Sequence, residues 1–146
     1  MLIIRILLML WLMPIHAQDD ILIQQQWQHR FLIGVQNDKQ AWLNLMSVVK
    51  TAEAQQELKE RKLVLLVVVD EQLHQYGDVS IPQDTAQVIH SIRERLTAYK
   101  LPGYALMGLD GGIKAYYPGN RFNLEAMFMS IDRMPMRQAE LNSRQD

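Results

Sequence analysis

The chain has 146 residues, of which 49% are hydrophobic and 21% are charged, and its 15 basic side chains nearly balance 16 acidic ones. This length suits one domain with its own core. The charge balance leaves no basic excess of the kind that binds nucleic acid, so we predict no nucleic-acid partner. The sequence contains no cysteine, which excludes disulfides, thiolate nucleophiles, cysteine zinc sites and Cys-x-x-Cys redox pairs.

The first segment has the pattern of an export signal. Arg5 precedes an apolar run over residues 6–13, Pro14 interrupts the run, and Ala17 stands before polar sequence, as in a secretory signal peptide. The run is shorter than the roughly 20 residues that a membrane-spanning helix needs. We therefore expect cleavage after Ala17, a periplasmic or secreted mature protein and no stable membrane span after cleavage. An uncleaved signal that anchors the protein is the alternative.

The rest of the chain divides into a lead-in, one domain and a tail. The predicted division takes residues 1–17 as the signal peptide, 18–29 as a polar N-terminal lead-in, 30–140 as the folded domain and 141–146 as a polar tail.

Two buried strands and a helix are predicted in the first half of the domain. The apolar run over residues 30–35 ends in turn-forming polar residues and predicts a strand. From Lys39 to about Leu58, apolar residues recur every three or four positions behind Asp38 as a cap, which predicts one amphipathic helix. The run 63–69 is apolar throughout, which is typical of a strand covered on both faces.

The second half is predicted to hold a second helix, a hairpin and a last helix. The stretch 70–84 contains turn-forming residues and predicts an irregular surface connection, after which a helix capped by Asp84 or Thr85 is expected. An Asp-Gly-Gly turn at 110–112 joins two strand-like runs as an antiparallel hairpin. The last helix begins after Asn123, and Pro135 should end or kink it.

The predicted order is β-α-β-α-β-β-α, which is the succession of a thioredoxin-like domain. The fold class is therefore α/β, with a central mixed sheet of about four strands flanked by helices. In redox-active domains of this kind, the nucleophile lies where the first strand meets the first helix. Residues 36–39 (QNDK) occupy that position, and because none of them carries sulfur, thiol oxidoreductase and peroxidase activities are excluded. Pro102 lies near the place of the cis-proline beside such sites, one residue out of register, so a trans bond is expected.

A family resemblance rests on two motifs. The stretch LMGLDGGIK at 106–114, and the stretch IDRMPMR at 131–137 followed by Glu140, resemble the signature of the DUF4174 (P-DUDES) family. This uncharacterised family occurs in bacterial secreted proteins and in vertebrate extracellular matrix proteins with sushi repeats. Arg30 and the turn 60–62 are similar to further landmarks, so the resemblance spans about residues 25–140. It implies a thioredoxin-like fold related to peroxiredoxins, with no established activity. Leu109 stands where the family usually has a basic residue, which weakens an anion-binding role for the hairpin.

The family motif also supplies the candidate residues for a binding surface. Asp132 and Arg137 flank Pro135 and are expected to restrain the helix end through capping or an ion pair, whereas the alternative is a surface that recognises a partner together with Lys114. The candidate binding residues are Asp110, Gly111, Gly112, Lys114, Asp132, Met134, Pro135, Met136 and Arg137. We predict no catalytic residue, metal ligand or cofactor.

The expected function is a non-catalytic, thioredoxin-like binding module that recognises a protein or another component of the cell envelope. One alternative is an enzyme that uses acid–base chemistry on the connection 70–84, with Asp70, Glu71, His74 and Asp78 in one pocket. A second alternative is a periplasmic copper-binding protein, because thioethers are soft ligands for cuprous ion. Its ligands would be Met127, Met129, Met134 and Met136.

Overall fold

The computed structural model of the chain describes residues 20–81, 84–120 and 123–145. The predicted signal peptide and its cleavage site lie outside these residues. The elements, in order, are α1 (Ile21–Gln24), β1 (Arg30–Gln36), α2 (Lys39–Val49), α3 (Ala52–Glu60), β2 (Leu63–Val69), β3 (Gln72–Tyr76), α4 (Thr85–Arg95), β4 (Gly103–Met107), β5 (Ile113–Pro118), α5 (Leu124–Asp132) and α6 (Pro135–Asn142).

The strands form one mixed sheet in the order β3-β2-β1-β4-β5. β1 and β2 run parallel, as a helical crossover between them requires, and every other neighbouring pair is antiparallel. This arrangement confirms the predicted α/β class with a mixed central sheet flanked by helices, and it matches a thioredoxin-like description. The hairpin of β4 and β5 is also confirmed.

The sheet has one strand more than the four predicted. β3 arises from the connection 70–84, which was predicted to be irregular. It pairs with β2 from Leu65 opposite Tyr76 to Val69 opposite Gln72. Its residues are exposed or half-buried, so the segment has no apolar run that would mark it as a strand. β3 forms because the edge of β2 offers it backbone hydrogen-bond partners, which the composition of the segment does not reveal.

The core lies on both faces of this sheet. Alternate side chains of β1 and β2 point to opposite faces, and all seven residues of β2 are buried, which confirms the prediction of cover on both sides. One face packs against α2, α3 and α5 through residues such as Trp42, Leu58 and Phe128. The other packs against α1 and α4 through residues such as Leu22 and Ile92.

Two helices differ from the sequence prediction. The single helix expected from Lys39 to Leu58 is divided, because the Thr51 hydroxyl accepts a hydrogen bond from Ala54 N at 3.3 Å and begins α3. The region predicted as a polar lead-in contains α1, whose Ile21 and Leu22 are only 2% and 1% exposed. Apolar residues at 21–23 supply this helix within otherwise polar sequence.

The remaining local features concern two prolines. α5 ends at Asp132 and Pro135 begins α6 at its first position, so the predicted break at this proline is confirmed. The Leu101–Pro102 peptide bond is cis, which corrects the expected trans bond. Pro102 leads directly into β4, and its carbonyl accepts a hydrogen bond from Gly119 N at 2.8 Å.

Within the described ranges, no helix has the length and apolar character needed to cross a membrane.

Candidate functional site

The position between β1 and α2, where redox-active thioredoxin-like domains carry a nucleophile, has a structural role in this chain. Gln36 is 2% exposed, and its Nε2 donates to the carbonyl of Gly119 at 3.0 Å. Asp38 caps α2 by accepting from Gln40 N at 2.8 Å. These polar side chains therefore connect the end of β1 to the residue after β5 and begin a helix, and none of residues 36–39 carries sulfur.

Charged residues concentrate at the opposite end of the sheet, where β1 and β2 begin. Arg30 is the first residue of β1, Arg61 precedes β2, and Arg137 lies in α6. Their exposed fractions are 0%, 7% and 2%. Together with Asp132 and Glu140 we call them the arginine cluster. Buried cations are stable only when charges and hydrogen bonds compensate them, so each arginine's partners matter.

Asp132 joins two of the three arginines. It accepts from Arg61 Nη2 at 2.5 Å and from Arg137 Nε at 3.2 Å. Arg61 also pairs with Glu57 and stacks over the ring of Phe128 at 4.6 Å. Burial by itself would lower the pKa of Arg61, but the hydrogen bonds and charges of Asp132 and Glu57 outweigh it and raise that pKa. Arg61 is therefore held in its charged form.

Glu140 is shared among three cations at longer range. Its carboxylate oxygens lie 3.4 Å from Arg30 Nη1, 3.3 Å from Arg137 Nη1 and 3.6 Å from Lys62 Nζ. Burial alone would raise the pKa of Glu140, but the charge and hydrogen bonds of Arg30, with those of Arg137 and Lys62, lower it below its usual value. Glu140 is therefore an ionised carboxylate that must serve several cations at once.

Arg30 makes longer ion-pair contacts than the other two arginines of the cluster. Its Nη1 donates to the carbonyl of Arg61 at 2.9 Å, and its contacts with Glu140 are 3.4 Å long. Its Nε is buried and has no hydrogen-bond partner among the described residues, and the same is true of Arg61 Nε. A fully buried guanidinium normally satisfies all its donors, so each of these two arginines keeps one donor without a partner, and of the two only Arg30 lines a cavity beside the hairpin turn.

The hairpin turn at 108–112 is fixed by its own hydrogen bonds. Gly108 N donates to the carbonyl of Gly112 at 2.9 Å, and Asp110 Oδ1 accepts from Gly112 N at 3.0 Å. Asp110 Oδ2 pairs with Lys114 Nζ at 2.6 Å, and Gly111 supplies a positive φ of 79°. The hydrogen bonds from Lys114 and from Gly112 N lower the pKa of Asp110. The turn is therefore rigid and holds Lys114 in place.

A cavity of about 240 Å³ lies between this turn, the start of β1 and the start of α6. We call it the hairpin cavity. Its lining residues are Arg30, Gly108, Leu109, Asp110, Lys114, Met134, Pro135 and Met136.

The first turn of α6 forms one wall of the hairpin cavity. Met134 is its N-cap residue, and no side chain caps this helix. The first backbone N–H groups of an α-helix have no partner within the helix and carry its positive dipole end. The hairpin cavity therefore combines a buried arginine, a lysine paired with Asp110 and an uncapped helix start with apolar side chains.

Five of the nine predicted binding residues line one cavity, two lie beside it and two belong to the arginine cluster. Asp110, Lys114, Met134, Pro135 and Met136 line the hairpin cavity. Gly111 and Gly112 complete the turn beside it. Asp132 and Arg137 belong to the arginine cluster, where they pair with each other at 3.2 Å, and this corresponds to the predicted ion pair.

Three charged residues of the site were not among the predicted candidates. Arg30, Arg61 and Glu140 appeared in the sequence only as features similar to family landmarks. For Arg30 and Arg61 the sequence signal is a charged residue placed directly before, or one residue away from, an apolar strand run, since such a residue is drawn toward the core by its neighbours. Glu140 lies in α6 and has no such signal. That signal does not reveal the partner, because Arg30 and Glu140 are 110 positions apart.

The residues of the acid–base alternative have separate surroundings. Glu71 pairs with Arg93 at 2.5 Å, and the His74 ring lies 5.3 Å from that of Trp42. Asp78 and His29 line a cleft that neither Glu71 nor His74 borders. Burial lowers the pKa of His29, and the charge of Asp78 opposes this shift. This geometry gives no single acid–base constellation among the described residues.

The methionines of the copper alternative also have different surroundings. Met127 is fully buried in the core, Met129 lines a groove beside Phe128, and Met134 and Met136 line the hairpin cavity. Across the described ranges, no group of three or more histidine, aspartate or glutamate side chains is placed to hold a metal ion.

Comparisons with known proteins bear on the family alone. A search of curated proteins and a search of solved structures each find no match. A family model described as "Domain of unknown function (DUF4174)" matches residues 21–140, a range that begins at α1 and ends at Glu140. It includes both motifs on which the sequence resemblance rests. The chain therefore belongs to the DUF4174 family.

Proposed function

We propose that this protein is an exported, non-catalytic binding module that uses a thioredoxin-like scaffold to recognise another protein of the cell envelope. The binding surface is the hairpin cavity together with its rim. Export is supported by the arrangement of Arg5, the apolar run and Ala17 at the start of the chain.

Two facts favour binding over catalysis. The chain has no cysteine, so it cannot carry out the thiol chemistry of redox-active thioredoxin-like proteins. The polar residues at the corresponding position are engaged in the fold, as the hydrogen bond from Gln36 to Gly119 shows.

The observation that carries the proposal is the convergence of two distant motifs on one cavity. The Asp-Gly-Gly turn and the Met-Pro-Met segment are separated by more than twenty residues in sequence, yet both line the hairpin cavity. Met136, on its rim, is 42% exposed. Exposed apolar side chains beside charged groups are common at surfaces that bind other proteins.

The proposal is tested by affinity capture from an envelope extract with three forms of the protein. The test variant is Lys114→Ala/Met136→Ala, which removes two exposed side chains from the cavity wall. The control variant is Lys50→Ala/Met129→Ala, which removes the same residue types from exposed positions elsewhere. Circular dichroism and thermal melting establish that all three forms are folded.

We expect at least one envelope protein to be recovered with the wild type and the control variant but lost with the test variant. Recovery of the same proteins by all three forms would refute a recognition role for the hairpin cavity.

A further inference from the structure

We infer that the hairpin cavity is a carboxylate site, which takes a carboxylate group carried on a small apolar body. This inference rests on the proposed function, because it names the chemistry that the proposed surface recognises. The carboxylate has two possible sources, the C-terminal end of a protein chain and a free small acid, and the experiment below distinguishes them.

Arg30 is the arginine of the cluster that borders the hairpin cavity. Its side chain is fully buried, and its Nε, like that of Arg61, has no hydrogen-bond partner among the described residues, but Arg61 does not line this cavity. Among the described residues the carboxylate that pairs with Arg30 is Glu140, which is shared with Arg137 and Lys62. The ion pairs in and around the arginine cluster join four cationic side chains to three carboxylates among the described residues. The cations are Arg30, Arg61, Lys62 and Arg137, and the carboxylates are Glu57, Asp132 and Glu140. The cluster therefore carries one more positive than negative charge, which one bound monoanion would neutralise.

The start of α6 borders the same cavity. Met134, Pro135 and Met136 occupy its cap and first two positions, and all three line the hairpin cavity. No side chain caps this helix. Pro135 has no N–H, so the helix offers an anion its positive dipole end and the N–H groups that begin at Met136. The helix start and Arg30 come from opposite ends of the domain sequence, yet they border the same space.

The wall, charge and volume of the hairpin cavity favour a carboxylate over a phosphate. Leu109 and three α6 residues make much of the wall apolar, and Lys114 is already neutralised by Asp110 at 2.6 Å. The excess charge is thus that of one arginine, which matches a monoanion better than a dianion. The volume of about 240 Å³ is below the ~300–1,000 Å³ of pockets for drug-sized ligands, so the apolar body is about the size of one side chain. The cationic group is Arg30 of β1. An anion site beside the hairpin therefore does not need a basic residue at position 109, where this chain has leucine.

Calorimetric titration of the purified protein tests the inference. The probes are N-acetyl-leucine, N-acetyl-leucine amide, hexanoate, inorganic phosphate, and a short peptide that ends in leucine with a free or an amidated C-terminus. We expect the free carboxylates to bind at least about tenfold more tightly than the matching amides, because a charge-assisted hydrogen bond is lost in the amide.

One substitution tests the location without disturbing the arginine cluster. Met136→Glu places a competing carboxylate on the cavity wall, at a helix start that favours acidic residues, so this variant should fold. Met129→Glu is the control, since Met129 is also an exposed methionine (49%) but lies on α5, outside the lining of the hairpin cavity. We expect Met136→Glu to weaken N-acetyl-leucine binding at least about tenfold and Met129→Glu to leave it unchanged.

Four results would overturn the inference: no binding of any carboxylate, equal binding of acid and amide, equal effects of the two glutamate variants, or tighter binding of phosphate than of every carboxylate. Tighter binding of the peptide acid than of hexanoate assigns the site to a chain end, and the reverse order assigns it to a free acid. If carboxylates fail to bind while capture still depends on Lys114 and Met136, the inference fails and the proposed function stands. If carboxylates bind as expected while capture is unaffected, the proposed function fails and the carboxylate site stands.

Discussion

At the scale of single residues, the arginine cluster shows why a charge can be buried without being fully neutralised. Asp132 holds Arg61 at 2.5 Å and Arg137 at 3.2 Å, whereas Arg30 depends on a carboxylate 3.4 Å away that other cations also use. Asp132 should therefore contribute to folding, since its loss leaves two buried guanidinium groups short of a partner. Arg30 and Arg61 each have a buried Nε without a partner among the described residues, but only Arg30 lines the hairpin cavity.

We expect Asp132→Ala to lower the free energy of unfolding by about 2–4 kcal/mol, since it breaks a partly buried pair and leaves buried cations uncompensated. Glu71→Ala is the matched control, because the Glu71–Arg93 pair is 79% and 37% exposed and such pairs contribute about 1 kcal/mol or less. Urea denaturation measures both. Equal losses from the two variants would contradict a structural role for Asp132.

Glu140 predicts a pH dependence of stability. Its pKa is lowered in the folded state, because Arg30, Arg137 and Lys62 outweigh the opposing effect of burial. The stabilisation is therefore fully present above the ordinary glutamate pKa of 4.5 and is lost as pH falls through the lowered pKa. We expect Glu140→Gln to be about 2 kcal/mol less stable than the wild type at neutral pH, with the difference shrinking in acid. Denaturation curves at neutral pH and at several acidic pH values measure this, and a difference independent of pH would contradict it.

At the scale of elements, short segments at the edges of the domain contribute more than their length suggests. α1 has only four residues, yet Leu22 is 1% exposed within the core on the α4 side. Asp20 caps α1 and also accepts from Ser91 Oγ at 2.6 Å and pairs with Arg95 at 2.8 Å. The segment before β1 is therefore fixed to α4 by apolar packing and by charge.

We expect Leu22→Ala to cost about 2–5 kcal/mol of unfolding free energy, because it leaves a cavity in the core. Ile23→Ala is the control, since its neighbour Ile23 is 60% exposed and its truncation should change stability by about 0.5 kcal/mol or less. Thermal and urea unfolding measure the two variants. A cost for Leu22→Ala no greater than that for Ile23→Ala would show that α1 is not part of the stable domain.

The elements also show what sequence patterns can predict. β1, β2 and the β4–β5 hairpin were predicted because their apolar runs and the Asp-Gly-Gly turn are local signals. β3 and the helix break at Thr51 were missed. β3 depends on pairing with β2, and the break depends on one hydroxyl that accepts from Ala54 N. The spacing of apolar residues in the sequence predicts which face of a helix or strand is buried. An edge strand such as β3, or a helix cap, can form with almost no buried face and so leaves no such pattern.

At the scale of the whole molecule, the two ends of the sheet differ in character. The end at which β1 and β2 finish holds Gln36 in a structural hydrogen bond, whereas the end at which they begin holds the arginine cluster and the hairpin cavity. The sequence predicted the hairpin residues, the Met-Pro-Met segment, Asp132 and Arg137 as one surface. Residues of the hairpin and of the Met-Pro-Met segment line one cavity, whereas Asp132 and Arg137 pair with each other in the arginine cluster. The sequence did not predict that Arg30 and Glu140 meet, because their contact spans 110 positions and leaves no local pattern.

The central claim is that the hairpin cavity, at the end of the sheet where β1 and β2 begin, binds a carboxylate. Titration of isotope-labelled protein with N-acetyl-leucine, followed through the backbone amide signals in NMR spectra, tests it most directly. The account predicts that the signals of Gly108, Leu109, Lys114 and Met136 shift in a saturable manner while those of residues 36–39 stay in place. Shifts confined to residues 36–39, or no shift at saturating ligand, would contradict it.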